Sequence, residues 1–242
     1  MQPRSLQGDI IWIISRGFVH DVVEVLGDKL DGIYAYGSIV FDGFGRDIDC
    51  HLVLRLAPTG NEKARLNAIH AKYKLFCCEV DAHYIMLKDA RNSLPPKSYL
   101  LSNTKDEAWA LHCAHIRSGC YVTLYGQEPI PALFPSPDWR NIVSALDYEI
   151  RYIEKNGDQY AYCILNLCRI IYSFISRNVA VSKRFSGLWA CRHFPEWAGL
   201  IHAAMASYEN NVNYFVDESF EFEFLQFYKF ATEKICEVRA ET

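Results

Sequence analysis

Tyr36-Gly37-Ser38, followed after eight residues by Asp47-Ile48-Asp49, carries the strongest structural signal in the chain. On its N-terminal side, Gly32-Ile33-Tyr34-Ala35-Tyr36 is a short β-type run that stops at Gly37-Ser38. On its C-terminal side, the glycine-rich turn Asp42-Gly43-Phe44-Gly45 leads into a second strand over residues 48–56. In an extended strand, residues two apart point to one face, so Asp47 and Asp49 present their carboxylates together. Charges that close repel, and the usual remedy is a hard divalent cation such as Mg²⁺. The Gly-Ser turn supplies backbone N–H groups and a hydroxyl suited to phosphate oxygens. A third strand over 78–87 carries Glu79 and Asp81, again two apart and sharing a face. If it lies beside the second strand, three or four carboxylates converge. A pair of aspartates with this spacing is common on exposed strands. The Gly-Ser turn before it and the apolar strand after it favour a metal and nucleotide site.

Further from this centre, residues 10–26 place Ile11, Ile14, Phe18, Val22 and Val25 near helical spacing, and 61–76 has good helix formers with an apolar face. Leu94-Pro95-Pro96-Lys97 marks a connection before a helix over 104–119. Pro129, Pro131, Pro135 and Pro137 fall within nine residues, which reads as an interdomain linker over 129–137. Beyond it, helices are expected over 138–156, 159–177, 182–193, 197–208 and 220–238, with Asp138 and Ser182 as N-caps. The fold class is therefore α+β: a mixed α/β domain over 1–130, then an all-α bundle over 138–242. Phe220, Phe222, Phe224, Phe227, Tyr228 and Phe230 read as the core face of the last helix, with a dimer contact as the alternative.

Half of the 242 residues are hydrophobic and 14% aromatic, ample for packed cores and incompatible with a disordered chain. The formal charge of −4 lacks the basic face that a duplex-binding protein needs, so nucleic acid is not an expected partner. The longest apolar run, 160–175, is broken by Asn166 and Arg169, so no membrane span is expected, and the N-terminus lacks a secretory pattern. Nine cysteines without CxxC pairs are expected as free thiols in a reducing cytoplasm. Cys77, Cys78, Cys163 and Cys168 read as small apolar fillers. His112 and His115 share a helix face at i and i+3, yet no paired Cys or His set accompanies them, so zinc is not expected there.

Gly37-Ser38…Asp47-Ile48-Asp49 resembles the active-site signature of the polymerase-β-like nucleotidyltransferases. Further on, Tyr162-Cys163-Ile164-Leu165-Asn166-Leu167-Cys168-Arg169, then Ser182-Lys183, then Leu188-Trp189-Ala190 resemble the helical domain of the aminoglycoside (3'')(9) adenylyltransferases, which modify streptomycin and spectinomycin. The likeness runs from about residue 30 to 210. Its first element is specific only to the superfamily; the combination at this spacing is much more specific.

The resemblance implies that the first domain is a nucleotidyltransferase domain in which Asp47 and Asp49 hold catalytic Mg²⁺ and Gly37-Ser38 touches nucleotide phosphate. It implies Glu79 as general base on the acceptor hydroxyl. Asp81 is a second candidate for base or metal ligand, with a solvated strand residue as the plain alternative. The acceptor hydroxyl would attack the α-phosphorus of ATP, pyrophosphate would leave in line, and a carboxylate would take the proton. Arg169 and Lys183 match the family's nucleotide-phosphate contacts. Arg169 lies in an otherwise apolar helix, where either a triphosphate or a carboxylate partner offsets its burial. Lys183 stands near a helix start, an end that disfavours cations and so favours an anionic partner. Tyr208 matches a tyrosine that contacts nucleotide, with packing as the alternative.

The departures concern the acceptor. The loop of eight residues between Gly-Ser and Asp47 is about two shorter than in the drug-modifying members, and Arg46 stands where a serine usually does. The segment that carries a drug-stacking tryptophan looks shortened, and Trp109 falls inside a helix. The family's drug-binding acidic position aligns with Gln159, with Asp158 one place off; Asp147 and Glu154 add acid that suits a polycation or a solvated helix face equally. The expected function is Mg²⁺-dependent transfer of AMP from ATP to a hydroxyl of a small cationic aminoglycoside or aminocyclitol, an antibiotic-resistance activity. The expected enzyme is a cytoplasmic monomer or homodimer with its site between the domains. The alternatives are a nucleotidyltransferase for another small molecule or a protein, and a nucleotide-binding module without catalysis.

Overall fold

A computed structural model of the chain describes residues 6–41, 47–75, 79–100, 105–127, 133–210 and 218–240. The chain divides into two compact units, Met1–Ala145 and Leu146–Thr242.

The first unit runs α1 (Leu6–Leu26), β1 (Leu30–Tyr36), a single helical turn α2 (Ser38–Phe41), β2 (Asp47–Leu54), α3 (Gly60–Lys74), β3 (Glu79–Met86), α4 (Trp109–Arg117) and β4 (Val122–Tyr125). The strand order is β3-β2-β1-β4, with β2 and β3 parallel and the other pairs antiparallel, so the sheet is mixed. A parallel pair cannot be closed by a tight turn, and α3 supplies the crossover. That helix starts at a capping box: Thr59 Oγ1 accepts from Glu62 N at 3.3 Å while Glu62 Oε2 accepts from Thr59 N at 2.6 Å.

Period-two alternation in β2 sorts its side chains between two cores. Ile48, Cys50, Leu52 and Leu54 face the core shared with Phe18, Val22 and Val25 of α1 and Leu66 and Tyr73 of α3. The opposite face carries Asp47, Asp49, His51 and Val53, and Val53 joins Tyr34, Tyr36, Ile85, Trp109, Cys113 and Ile116 beneath α4. Strand β4 was not expected; four half-buried residues after Gly119 (φ +81°) are too few to show a period. The helix expected over 104–119 begins only at Trp109.

The Pro-rich expectation falls partly on residues 129–132, which lie outside the described residues. Leu133 and Phe134 are buried in the first unit's core, and the division between units falls inside α5 (Trp139–Lys155). Asp138 Oδ1 caps that helix by accepting from Asn141 N at 2.7 Å. The second unit continues with α6 (Tyr160–Ser176), α7 (Lys183–His193), α8 (Ala198–Asn210) and α9 (Glu218–Ala240). Helix α6 packs against α7, α8 and α9, which is why Cys163–Cys168 are buried around the whole helix circumference. Ser182 Oγ caps α7, accepting from Phe185 N at 3.0 Å. In α9, Phe224 and Phe227 are core residues, whereas Phe222 is 64% exposed, so the aromatic cluster faces the core only in part. Cys50, Cys113, Cys163 and Cys168 are buried free thiols, and Cys77-Cys78 lie outside the described residues. Among the described residues, no helix is long and apolar enough to cross a membrane.

Candidate active site

The register of β2 against β3 aligns Asp47 with Glu79 and Asp49 with Asp81. Aligned residues of parallel strands share a face, so all four carboxylates stand on one side of the sheet, at the N-terminal ends of two neighbouring strands. Backbones about 4.8 Å apart set such side chains next to one another, an arrangement that like charges disfavour. The row is open to solvent, with the Glu79 side chain 67% exposed and that of Asp81 60% exposed. Lys74 Nζ donates to Glu79 Oε1 at 3.3 Å, and His83 Nε2 lies 3.8 Å from Asp81 Oδ1. The field of the row reaches its neighbours. Burial chiefly, with the charges of Asp49 and Asp81, pushes the Cys50 thiol well up; burial, Asp106, Asp49 and Asp81 do the same to the Tyr36 hydroxyl. Carboxylate oxygens are the hard donors that a magnesium ion takes.

Gly37 closes this end of the sheet. Strand β1 pairs Tyr36 with Asp49, and the next residue turns with φ +78°. A Cβ at Gly37 would collide with Asp49 Oδ2, so the aspartate occupies the space a side chain would take. The Gly37 carbonyl accepts from Val40 N and Phe41 N, both at 3.1 Å, and Ser38 opens the α2 turn. The glycine-rich turn and Arg46 lie outside the described residues.

Two positions further along β2 and β3, on the same face, the register pairs His51 with His83. Sequence reading passed over both. His51 is fully buried, and Tyr36 stacks on it at 4.6 Å and tilts over His112 at 4.5 Å. His112 Nδ1 lies 3.0 Å from Asp106 Oδ2, and His51 Nε2 lies 3.9 Å from the same oxygen. Burial pushes the His51 imidazole well below its ordinary pKa. Burial pushes the Asp106 carboxyl up, but the charge and hydrogen bond of His112, with His51 and His83 behind them, hold it well below the carboxylate range. His115 points elsewhere, its ring edge against Phe41 at 5.0 Å. Trp109 is a core residue whose Nε1 donates to the Asn92 carbonyl at 2.9 Å.

In the second unit, Arg169 Nη2 lies 3.6 Å from Glu149 Oε2, an acid missed in the sequence. Glu149 also accepts from Asn166 Nδ2 at 2.9 Å and from the Tyr162 hydroxyl at 3.4 Å. The carboxylate alternative for Arg169 is therefore realised, at a distance longer than a charge-assisted hydrogen bond. Lys183 Nζ sits 4.1 Å over the Tyr162 ring and 4.8 Å over that of Tyr208, and donates to the Tyr208 hydroxyl at 3.3 Å. The two rings hold the ammonium by cation–π attraction, so Arg169, Lys183 and Tyr208 belong to one connected group through Tyr162 and Glu149. Asp158 is exposed just before α6. Asp147 is engaged by Arg239 at 2.7 and 3.2 Å, and Glu154 accepts from Tyr228 at 3.3 Å, so helix packing accounts for both.

Residues 132–227 match the family model described as aminoglycoside adenylyltransferase, C-terminal domain. Among solved structures, spectinomycin adenyltransferase AAD(9) from Enterococcus faecialis, with ATP and spectinomycin, is similar over 91% of this chain and 98% of its own, with a TM-score of 0.74 and 16% identity. At that identity the likeness speaks for the fold, a mixed sheet followed by helices. No curated protein matches the chain.

Proposed function

We propose, on the premise of the match of residues 132–227 to the aminoglycoside adenylyltransferase C-terminal domain, that this chain transfers AMP from ATP to an antibiotic hydroxyl. The acceptor is an aminoglycoside or aminocyclitol of the streptomycin and spectinomycin kind; the similar solved enzyme was crystallised with ATP and spectinomycin. The observation that carries the reading is the parallel register of Asp47 with Glu79 and of Asp49 with Asp81.

In this reading Asp47 and Asp49 hold Mg²⁺, with Asp81 as a further ligand. When bound, the ion neutralises charge developing on the α-phosphate and the leaving pyrophosphate. Glu79 accepts the proton of the acceptor hydroxyl as the new O–P bond forms and the bond from the α-phosphorus to the bridging oxygen breaks. Lys74 Nζ stands 3.3 Å from Glu79 Oε1, beside the oxygen that would take that proton. Gly37 and Ser38 offer the turn to phosphate oxygens. Arg169 and Lys183 serve the nucleotide phosphates, Lys183 pre-aimed by two tyrosine rings and Arg169 oriented by Glu149, while Tyr208 lines the nucleotide. Asp158 serves the cationic acceptor.

The experiment is pyrophosphate release from ATP and Mg²⁺ over a panel of aminoglycosides and aminocyclitols. Asp47→Ala and Asp49→Ala abolish turnover with circular dichroism unchanged; Glu79→Gln loses rate but still binds ATP with metal. Undiminished turnover in either aspartate variant sinks the assignment, and Asp81→Asn losing more rate than Glu79→Gln makes Asp81 the base.

A further inference from the structure

The cluster two positions along β2 and β3 from the carboxylate row uses different chemistry from the row itself. We propose that His51, His112 and Asp106 form a binding site for a transition-metal cation of the zinc class, with His83 beside its fourth position. Two imidazoles and a carboxylate are the nitrogen and oxygen donors that zinc takes, whereas magnesium takes oxygen almost alone. One donor atom from each of the three lies within 4.8 Å of those from the others. Asp106 Oδ2 is 3.0 Å from His112 Nδ1 and 3.9 Å from His51 Nε2. Donors around a tetrahedral ion with bonds of about 2.1 Å stand about 3.4 Å apart, between those two distances.

A second, independent observation points to a ligand. Among the described residues, neither nitrogen of the fully buried His51 has a hydrogen-bond partner, and the buried Nδ1 of His83 has none either. Buried polar atoms are nearly always partnered, so two imidazoles sharing this condition in one place need an account. His83 stands next to these three, its ring centroid 5.8 Å from that of His51 and 6.2 Å from that of His112. Tyr36, Trp109 and Phe134 wall the cluster with rings 4.6, 5.2 and 5.8 Å from His51, excluding water from the cation.

The ligands come from β2, from the segment before α4 and from α4 itself, so a bound ion ties α4 onto the sheet. No sequence spacing reveals such a site: residues 51, 106 and 112 are brought together by the fold, and the expectation that excluded zinc at His112 weighed only its helix neighbour His115. Zinc there also places positive charge on the same face as Asp49 and Asp81, two positions further along β2 and β3.

The test is made on the tag-free full chain after dialysis against metal-free buffer. Zinc chloride is titrated against a chromophoric chelator, with cobalt(II) as a spectroscopic probe of coordination. The wild type binds one equivalent of zinc, gives the intense visible absorption of tetrahedral cobalt, and melts at a higher temperature with zinc. His51→Leu, an apolar replacement, and His112→Gln each weaken zinc binding by at least ~100-fold, while Asp47→Ala keeps it. Failure of the wild type to bind zinc overturns the proposal, leaving a proton shared by His112 and Asp106 as the cluster's only charge balance. Loss of zinc in Asp47→Ala with retention in His112→Gln also overturns it, because the ion then belongs to the carboxylate row. Neither result bears on adenylyl transfer, which is scored separately as pyrophosphate release.

Discussion

Replacing Gly37 with alanine perturbs one carboxylate without touching its charge. At φ +78° any residue with a Cβ is strained, a cost of about 1–2 kcal/mol. In a chain of this size that lowers the melting temperature by about 2–8 °C. The larger effect is local: the added carbon meets Asp49 Oδ2, so either the aspartate or the turn must move by about 1 Å, a displacement that costs about 100-fold in rate. Gly27 supplies the control. It too has positive φ, +49°, but nothing among the described residues lies within 4 Å of its would-be Cβ. Gly27→Ala therefore shares the strain and not the collision. Calorimetry and pyrophosphate release on both variants give two numbers each. The expected pattern is similar melting-temperature losses with a rate loss confined to Gly37→Ala. Equal turnover in the two variants would refute the placement of Asp49 at the reacting centre.

Glu149→Gln leaves Arg169, whose side chain is 20% exposed, without its acid and weakens the contacts to Asn166 and Tyr162. Allowing for that partial exposure, a loss of about 2–3 kcal/mol is expected from the urea midpoint, with a raised KM for ATP. Glu62 is pulled from 4.5 to about 2, first by the Lys29 hydrogen bond and then by Thr59. A depressed carboxyl contributes stability above its unfolded value, so that contribution is complete above about pH 4.5 and disappears as pH falls toward 2. Melting curves of Glu62→Gln across that window should show a weaker slope than the wild type. Leu165 is 1% exposed inside α6, and Leu165→Ala should cost about 2–5 kcal/mol by chemical denaturation.

The elements were legible where a single period ran long enough. Phe18, Val22 and Val25 announced the buried stripe of α1, and Asp138 and Ser182 announced two helix starts that the structure caps as expected. Strand β4 was too short to show a pattern, and the apolar circumference of α6 hid which neighbours cover it. Proline clustering marked a boundary, yet the compact units divide at Ala145–Leu146, because Leu133 and Phe134 bury into the first core.

For the candidate site, sequence by itself determined which side chains share a face, since alternation along a strand is a local property. Asp47 with Asp49, and Glu79 with Asp81, follow from that alone. Whether the two pairs meet depends on the order and register of strands joined by α3, which no local period encodes. The same holds for Glu149 against Arg169, and for His51 among Asp106, His112 and His83. Those contacts join residues distant along the chain, and only the closing of the sheet and the packing of the helices bring them within reach.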